Sequence, residues 1–307
     1  MKHALGLPLA LIALVLGFGF SSEYFLSRDT LIAITNDIPA LTAMAVGMTF
    51  VLVIAGIDLS VGSVLALSSG LTAVAMLTWQ WNVPSAMALG LACGVLCGTA
   101  TGSISVGWRV PSFIVSLGML EVARGSAYLI TDSRTMYIGS AVGKLSSPLW
   151  LGISPAFMTA LAIVIAGHIF LRRTVVGRYL IGIGTNEEAM RLAGVDPRPL
   201  KVMVFALMGA LAALAGLMQI SRLEAADPNA GIGMELQVIA AVVIGGTSLM
   251  GGRGSVLNTF FGVLIVAVLE AGLAQVGVSD PAKRIITGCV IIIAVLVDVY
   301  RNRLGRG

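Results

Sequence analysis

Four ionisable residues stand in otherwise apolar sequence: Asp58, Glu121, Arg124 and Glu270. A charge at the centre of a membrane helix costs about 2.5–3.5 kcal/mol, so each is a functional candidate until it finds a partner or water. Glu121 and Arg124 are three residues apart, the spacing at which helix side chains meet, and a structural ion pair accounts for them more readily than a transport role. Asp58 opens the segment Asp58-Leu59-Ser60-Val61-Gly62-Ser63. There a carboxylate and two hydroxyls suit either the cap of an interrupted helix or hydrogen bonds to a solute. Other chemistries lack their residues. His3 lies at the terminus and His168 is alone in an apolar run, without the partners of a nucleophilic or metal site. Cys93, Cys97 and Cys289 fall in apolar runs without a CxxC or Cys/His cluster. The one Gly-Lys pair, Gly143-Lys144, is followed by Leu145 and makes no phosphate loop. The expectation is no catalytic residue, no metal, and no ATP hydrolysis by this chain.

The elements that must position these residues are membrane helices. Of 307 residues 57% are hydrophobic and 11% charged, against about 25% charged in a soluble domain. Residues 59–108 contain no Asp, Glu, Lys or Arg, room for two spans of ~20 residues. The 37 glycines, 6% aromatics and lack of evident alternating apolar/polar strands speak against a β-barrel. The net charge of +4 says little in a membrane protein, where the placing of each charge matters more than the sum, and nucleic acid is not implied.

Apolar runs predict an all-α polytopic bundle of about ten helices. They fall at roughly 4–20, 38–57, 62–79, 84–107, 110–131, 150–171, 202–221, 236–252, 254–270 and 284–299. The first follows Lys2 without a convincing cleavage site and reads as an uncleaved helix. The basic residues from Arg172 to Lys201 and at the C-terminus fall on one side, which predicts both termini in the cytoplasm. The whole chain, 1–307, reads as a single transmembrane domain.

Gly90, Gly94, Gly98 and Gly102 recur every four residues and expose bare backbone on one helix face. That is a close-packing surface, or failing that a lining of a solute path. Gly245, Gly246, Gly251, Gly252 and Gly254 crowd a later stretch, where each glycine costs about 1 kcal/mol in a helix interior. A broken or re-entrant segment is expected there, and a similar break near residues 53–65. The two stretches read VIAGIDLSVGSVL and VIGGTSLMGGRGSVL, an echo that a duplication or a coincidence would both produce. Paired Gly-interrupted segments in transporters often mark the solute site. The longest cytoplasmic connection, about 172–201, contains a short helical pattern. Glu187 and Glu188 stand at its favourable N-terminus, and Gly194 and Pro197 close it. It is either a solvated loop or a docking element.

The segments Val46-Gly47-Met48-Thr49 and Ala55-Gly56-Ile57-Asp58-Leu59-Ser60-Val61-Gly62-Ser63 resemble the signature of ribose-type permeases. These are the membrane subunits of carbohydrate-importing ABC transporters, within the branched-chain amino acid/ribose permease superfamily. The stretches Val110-Pro111-Ser112-Phe113-Ile114, Gly184-Thr185-Asn186-Glu187-Glu188-Ala189 and Ile244-Gly245-Gly246-Thr247-Ser248 are similar to the family in the same order. The resemblance implies a second permease subunit, identical or not, an ATPase component with two nucleotide sites that holds the ATP and Mg, and a periplasmic sugar-binding protein. It places the chain in the bacterial inner membrane and makes the 172–201 loop the ATPase contact, with Glu187, Glu188, Arg191 and Gly194 as coupling residues. An importer driven by ATP elsewhere needs no ion relay, only hydroxyls, carbonyls and few charges along its path. Asp58, Ser60, Ser63, Phe113, Thr247, Ser248 and Asn258 are the candidate path residues. Ribose, other pentoses, hexoses or a furanosyl signalling molecule would all fit. The rival expectation is an ion-coupled secondary transporter or channel using Asp58, Glu121 and Glu270.

Overall fold

A computed structural model describes residues 6–147, 152–279, 281–283, 285–290 and 292–293. Capping residues set the helix starts. α1 (Gly6–Ser21) is followed by α2 (Arg28–Val53), whose cap Ser27 accepts from the Thr30 N–H at 3.2 Å. After α3 (Val61–Leu77), α4 (Val83–Trp108) opens on Asn82, with Pro84 in its first turn where the missing N–H costs nothing. α5 (Ser112–Ile130) and α6 (Pro155–Arg173) follow, the latter capped by Ser154. Thr174 caps α7 (Val175–Thr185), Asn186 caps α8 (Glu187–Leu192), and Asp196 with Pro197 opens α9 (Pro197–Leu223). α10 (Met234–Ile244) and α11 (Val256–Gln275) follow, and the described residues from 281 to 293 are again helical. Six of them, α2, α4, α5, α6, α9 and α11, are long and apolar enough to cross a membrane.

Burial sorts the bundle into an inner and an outer set. Nearly all of α3 and the second half of α2 are buried, and α9, α10 and α11 complete the core. α1 has no buried residue, and α5 and α6 bury only small or isolated positions, leaving apolar faces outward where lipid is the solvent. α4 buries Ala86, Gly90, Gly94, Gly98, Thr101 and Gly102 alone. A Cβ at Gly94 would stand 2.4 Å from the Gly209 carbonyl oxygen of α9, and one at Gly98 would stand 2.1 Å from that of Phe205. Gly90 meets Ser68 and Thr72 of α3, and Gly102 meets Val202 and Phe205. The four-residue repeat therefore brings backbone against backbone. A two-residue ribbon, β1 (Met136–Tyr137) against β2 (Ala225–Ala226), and a 3-10 turn at Gly139–Leu145 cover the end of α9, where Ser221 Oγ donates to the Val142 carbonyl at 2.6 Å.

Three expectations need correcting. The span foreseen at 236–252 is a short helix that stops at Ile244, because Gly246, Gly251 and Gly252 all take positive φ. α2 starts at Arg28 rather than 38, since Asn36 and Asp37 are held by partners elsewhere in the chain and do not end it. Arg124 does not pair with Glu121: its Nη1 donates to the Pro228 and Ala230 carbonyls, at 2.5 and 2.8 Å. Of the span foreseen at 284–299, residues 285–290 and 292–293 are described and helical, and the rest lies outside the described residues, as do Lys2 and His3.

Candidate functional site

Two interruptions lie at one end of the core. The first runs from Ile54 to Ser60 between α2 and α3, the second from Gly245 to Ser255 between α10 and α11. They meet: the Gly252 N–H donates to the Val53 carbonyl at 2.9 Å. The end of α7 reaches the same point, for a Cβ at Gly184 would fall 1.8 Å from Val53 O and 2.5 Å from Gly252 N. Three backbone segments, far apart in sequence, converge where none has a side chain in the way. Ala55 holds φ +59, an αL conformation that costs an alanine energy, and Gly251 lies against it.

Serine hydroxyls, half-buried at Ser112 and buried at Ser116, satisfy the freed backbone of the first interruption. Ser112 Oγ accepts from the Ile57 N–H at 2.9 Å, and Ser116 Oγ from the Leu59 N–H at 3.0 Å. Both serines come from the first turns of α5. Asp58, 1% exposed, accepts on Oδ1 from the Ser60 N–H (2.9 Å) and Ser60 Oγ (2.6 Å), a local turn that leads into α3. Ser63 Oγ and Thr247 Oγ1 are buried without a partner, while Ser248 Oγ accepts from the Met250 N–H at 3.2 Å. Asn258 is half-buried in the first turn of α11. Phe113 is 45% exposed on α5 and is not gathered into either interruption. The structure thus brings Asp58, Ser60 and Ser63 together, and Thr247 with Ser248 on the neighbouring strand of backbone. Sequence reasoning missed Ser112 and Ser116, although serines at i and i+4 in an apolar span were the available signal. It also missed Thr49 and Thr259, whose hydroxyls bond across α2 and α11 at 2.8 Å.

At the same end stands the hairpin of α7 and α8. Glu187 takes Arg191 at 3.2 Å and Lys201 at 2.5 Å, whereas Glu188 lies 3.9 Å from Arg191 with a side chain 72% exposed. Gly194 closes α8 with φ +83, a conformation natural to glycine. A cavity of about 430 Å3 separates α8 from the first interruption. Its lining includes Ala55, Gly56, Arg109, Glu187, Arg191, Arg198 and Lys201, four cations against one carboxylate. No group of His, Cys, Asp and Glu among the described residues is arranged to hold a metal.

An apolar helix bundle whose two interrupted helices share a backbone contact beside a charged hairpin defines a polytopic membrane permease. The chain belongs to the family described as branched-chain amino acid transport system / permease component, whose model matches residues 30–295. It is 39% identical over 298 residues to the ribose import permease protein RbsC of Haemophilus influenzae, covering 95% of this chain and 92% of that one. It is 33% identical over 307 residues to the L-arabinose ABC transporter permease protein AraH of Azospirillum brasilense (98% and 89%). With the fructose import permease protein FrcC of Rhizobium meliloti it shares 34% over 291 residues (91% and 80%). No solved structure matches it.

Proposed function

We propose that this chain is the transmembrane subunit of an ATP-driven importer that passes a monosaccharide across the bacterial inner membrane, with both termini and the α7–α8 hairpin in the cytoplasm. Relatives named for ribose, arabinose and fructose support the substrate class. Two permease subunits, an ATPase component carrying ATP and Mg, and a periplasmic sugar-binding protein make up the working complex. In this reading the bundle has about ten spans.

The observation that carries the proposal is the wedge of Gly184 between Val53 and Gly252. A displacement of α8 imposed by a motor travels one helix, α7, and arrives at both interruptions together. A conformational change needs differential contact between its two states, and here the hairpin supplies it directly. The outward-facing Glu188 and the basic rim of Arg109, Arg191 and Arg198 give a partner complementary charges to grip. The test is uptake of labelled D-ribose, L-arabinose and D-fructose into proteoliposomes. Accumulation of at least one sugar that requires the ATPase component and ATP is expected. Uphill transport by the chain alone on an ion gradient would refute the proposal.

A further inference from the structure

The end of the bundle opposite the hairpin holds a second chamber that coupling does not use. Its inner lobe, about 150 Å3, is lined by Asp37 of α2, Gln219 and Arg222 of α9, Gln237 of α10 and Glu270 of α11. A cavity of about 150 Å3 is the size that accepts one benzene, enough for one small ring. An outer lobe of about 580 Å3 shares Asp37, Arg222 and Glu270 and reaches Gln275. The two lobes form a funnel between core helices.

The lining has a consistent chemistry. Arg222 pairs with Asp37, so that their charges offset, and Gln237 Nε2 donates to Glu270 Oε1 at 2.8 Å. Gln219 Oε1 is buried and accepts no hydrogen bond, which is unfavourable unless an occupant supplies a donor. Carboxylates accept, guanidinium donates and amides do both, so the set matches hydroxyls, which also do both. Met218 and Met234 add adaptable apolar wall for the C–H face of a ring. Among the described lining residues the one cation, Arg222, is already paired with Asp37, which favours a neutral ligand over an anionic one.

We propose that this chamber binds a single neutral monosaccharide weakly at the entry end of the protomer and holds it before the interruptions open; this rests on the sugar-importer reading above. Weak binding suits the position, since a solute held tightly would not move on.

The experiment is equilibrium binding of labelled D-ribose, L-arabinose and D-fructose to the full chain in nanodiscs, with Tm measured in parallel. At least one sugar should bind, and Gln219→Leu should weaken it about tenfold. The same variant should leave Tm equal or higher, because it removes an unsatisfied oxygen at nearly constant volume. Glu270→Gln, which keeps a hydrogen-bonding group beside Gln237, should weaken binding less than Glu270→Leu. No binding of any of the three sugars, unchanged affinity in Gln219→Leu, or an affinity loss that tracks a fall in Tm overturns the proposal. ATP-dependent uptake by the unaltered complex, measured alongside, reports on the importer reading separately. If uptake persists and binding does not respond to the variants, only the chamber is refuted.

Discussion

Glu187 and Glu188 are adjacent and chemically alike, yet the structure gives them different work. Glu187 ties α8 to the start of α9 through Lys201 and to its own helix through Arg191, whereas Glu188 projects outward. Exposed ion pairs contribute about 0.2–1 kcal/mol, so neither glutamate holds the fold. Glu188→Lys should therefore lower ATP-driven uptake at least tenfold with unchanged abundance and Tm. Glu187→Gln should act more mildly, by loosening the hairpin. Equal, wild-type uptake in Glu188→Lys would remove this residue from the ATPase contact. The sequence made both glutamates visible through their place at a helix start, but not their division of labour, because Lys201 lies fourteen residues beyond Glu187. Arg124 teaches the same lesson. Helical spacing pointed to Glu121, and the carbonyls that it binds lie more than a hundred residues away.

At the scale of elements, the glycine face of α4 offers the sharpest contrast. Gly94 and Gly98 touch the backbone of α9, while Gly107 on the same helix has nothing within 4 Å of a built Cβ. Gly94→Leu should force α4 and α9 apart, costing at least the ~1–3 kcal/mol of an overpacked core, and should reduce membrane abundance and Tm. Gly107→Ala should leave both unchanged or slightly raised, since alanine is the better helix former by about 1 kcal/mol. Wild-type Tm for Gly94→Leu would mean that the contact is not tight. This ladder was legible because its period is local. So were the interruptions, whose glycines and Asp58 turn chemistry stand in consecutive residues. The entry chamber was not: Asp37 meets Arg222, and Gln237 meets Glu270, only because α2, α9, α10 and α11 are neighbours in space. A span-by-span reading has no term for that adjacency, and it placed the start of α2 too late for the same reason.

For the whole molecule, the hairpin and the two interruptions share one backbone contact, at Gly184, Val53 and Gly252. Gly184→Ala places a methyl at the Val53–Gly252 contact, where a Cβ has no room. It should cut ATP-driven uptake at least tenfold while the protein still reaches the membrane. Gly118→Ala on α5, with open space around it, should transport normally. Normal uptake in Gly184→Ala would show that motion of α8 reaches the interruptions by another route.

The bond between Gly252 and Val53 has a consequence for tightness. Separating the two segments frees an amide and a carbonyl at once, and each that water does not reach costs roughly 1–3 kcal/mol. A half-parted state gains nothing to offset that cost, so in the proposed importer the contact should act as a threshold, shut until the stroke is complete.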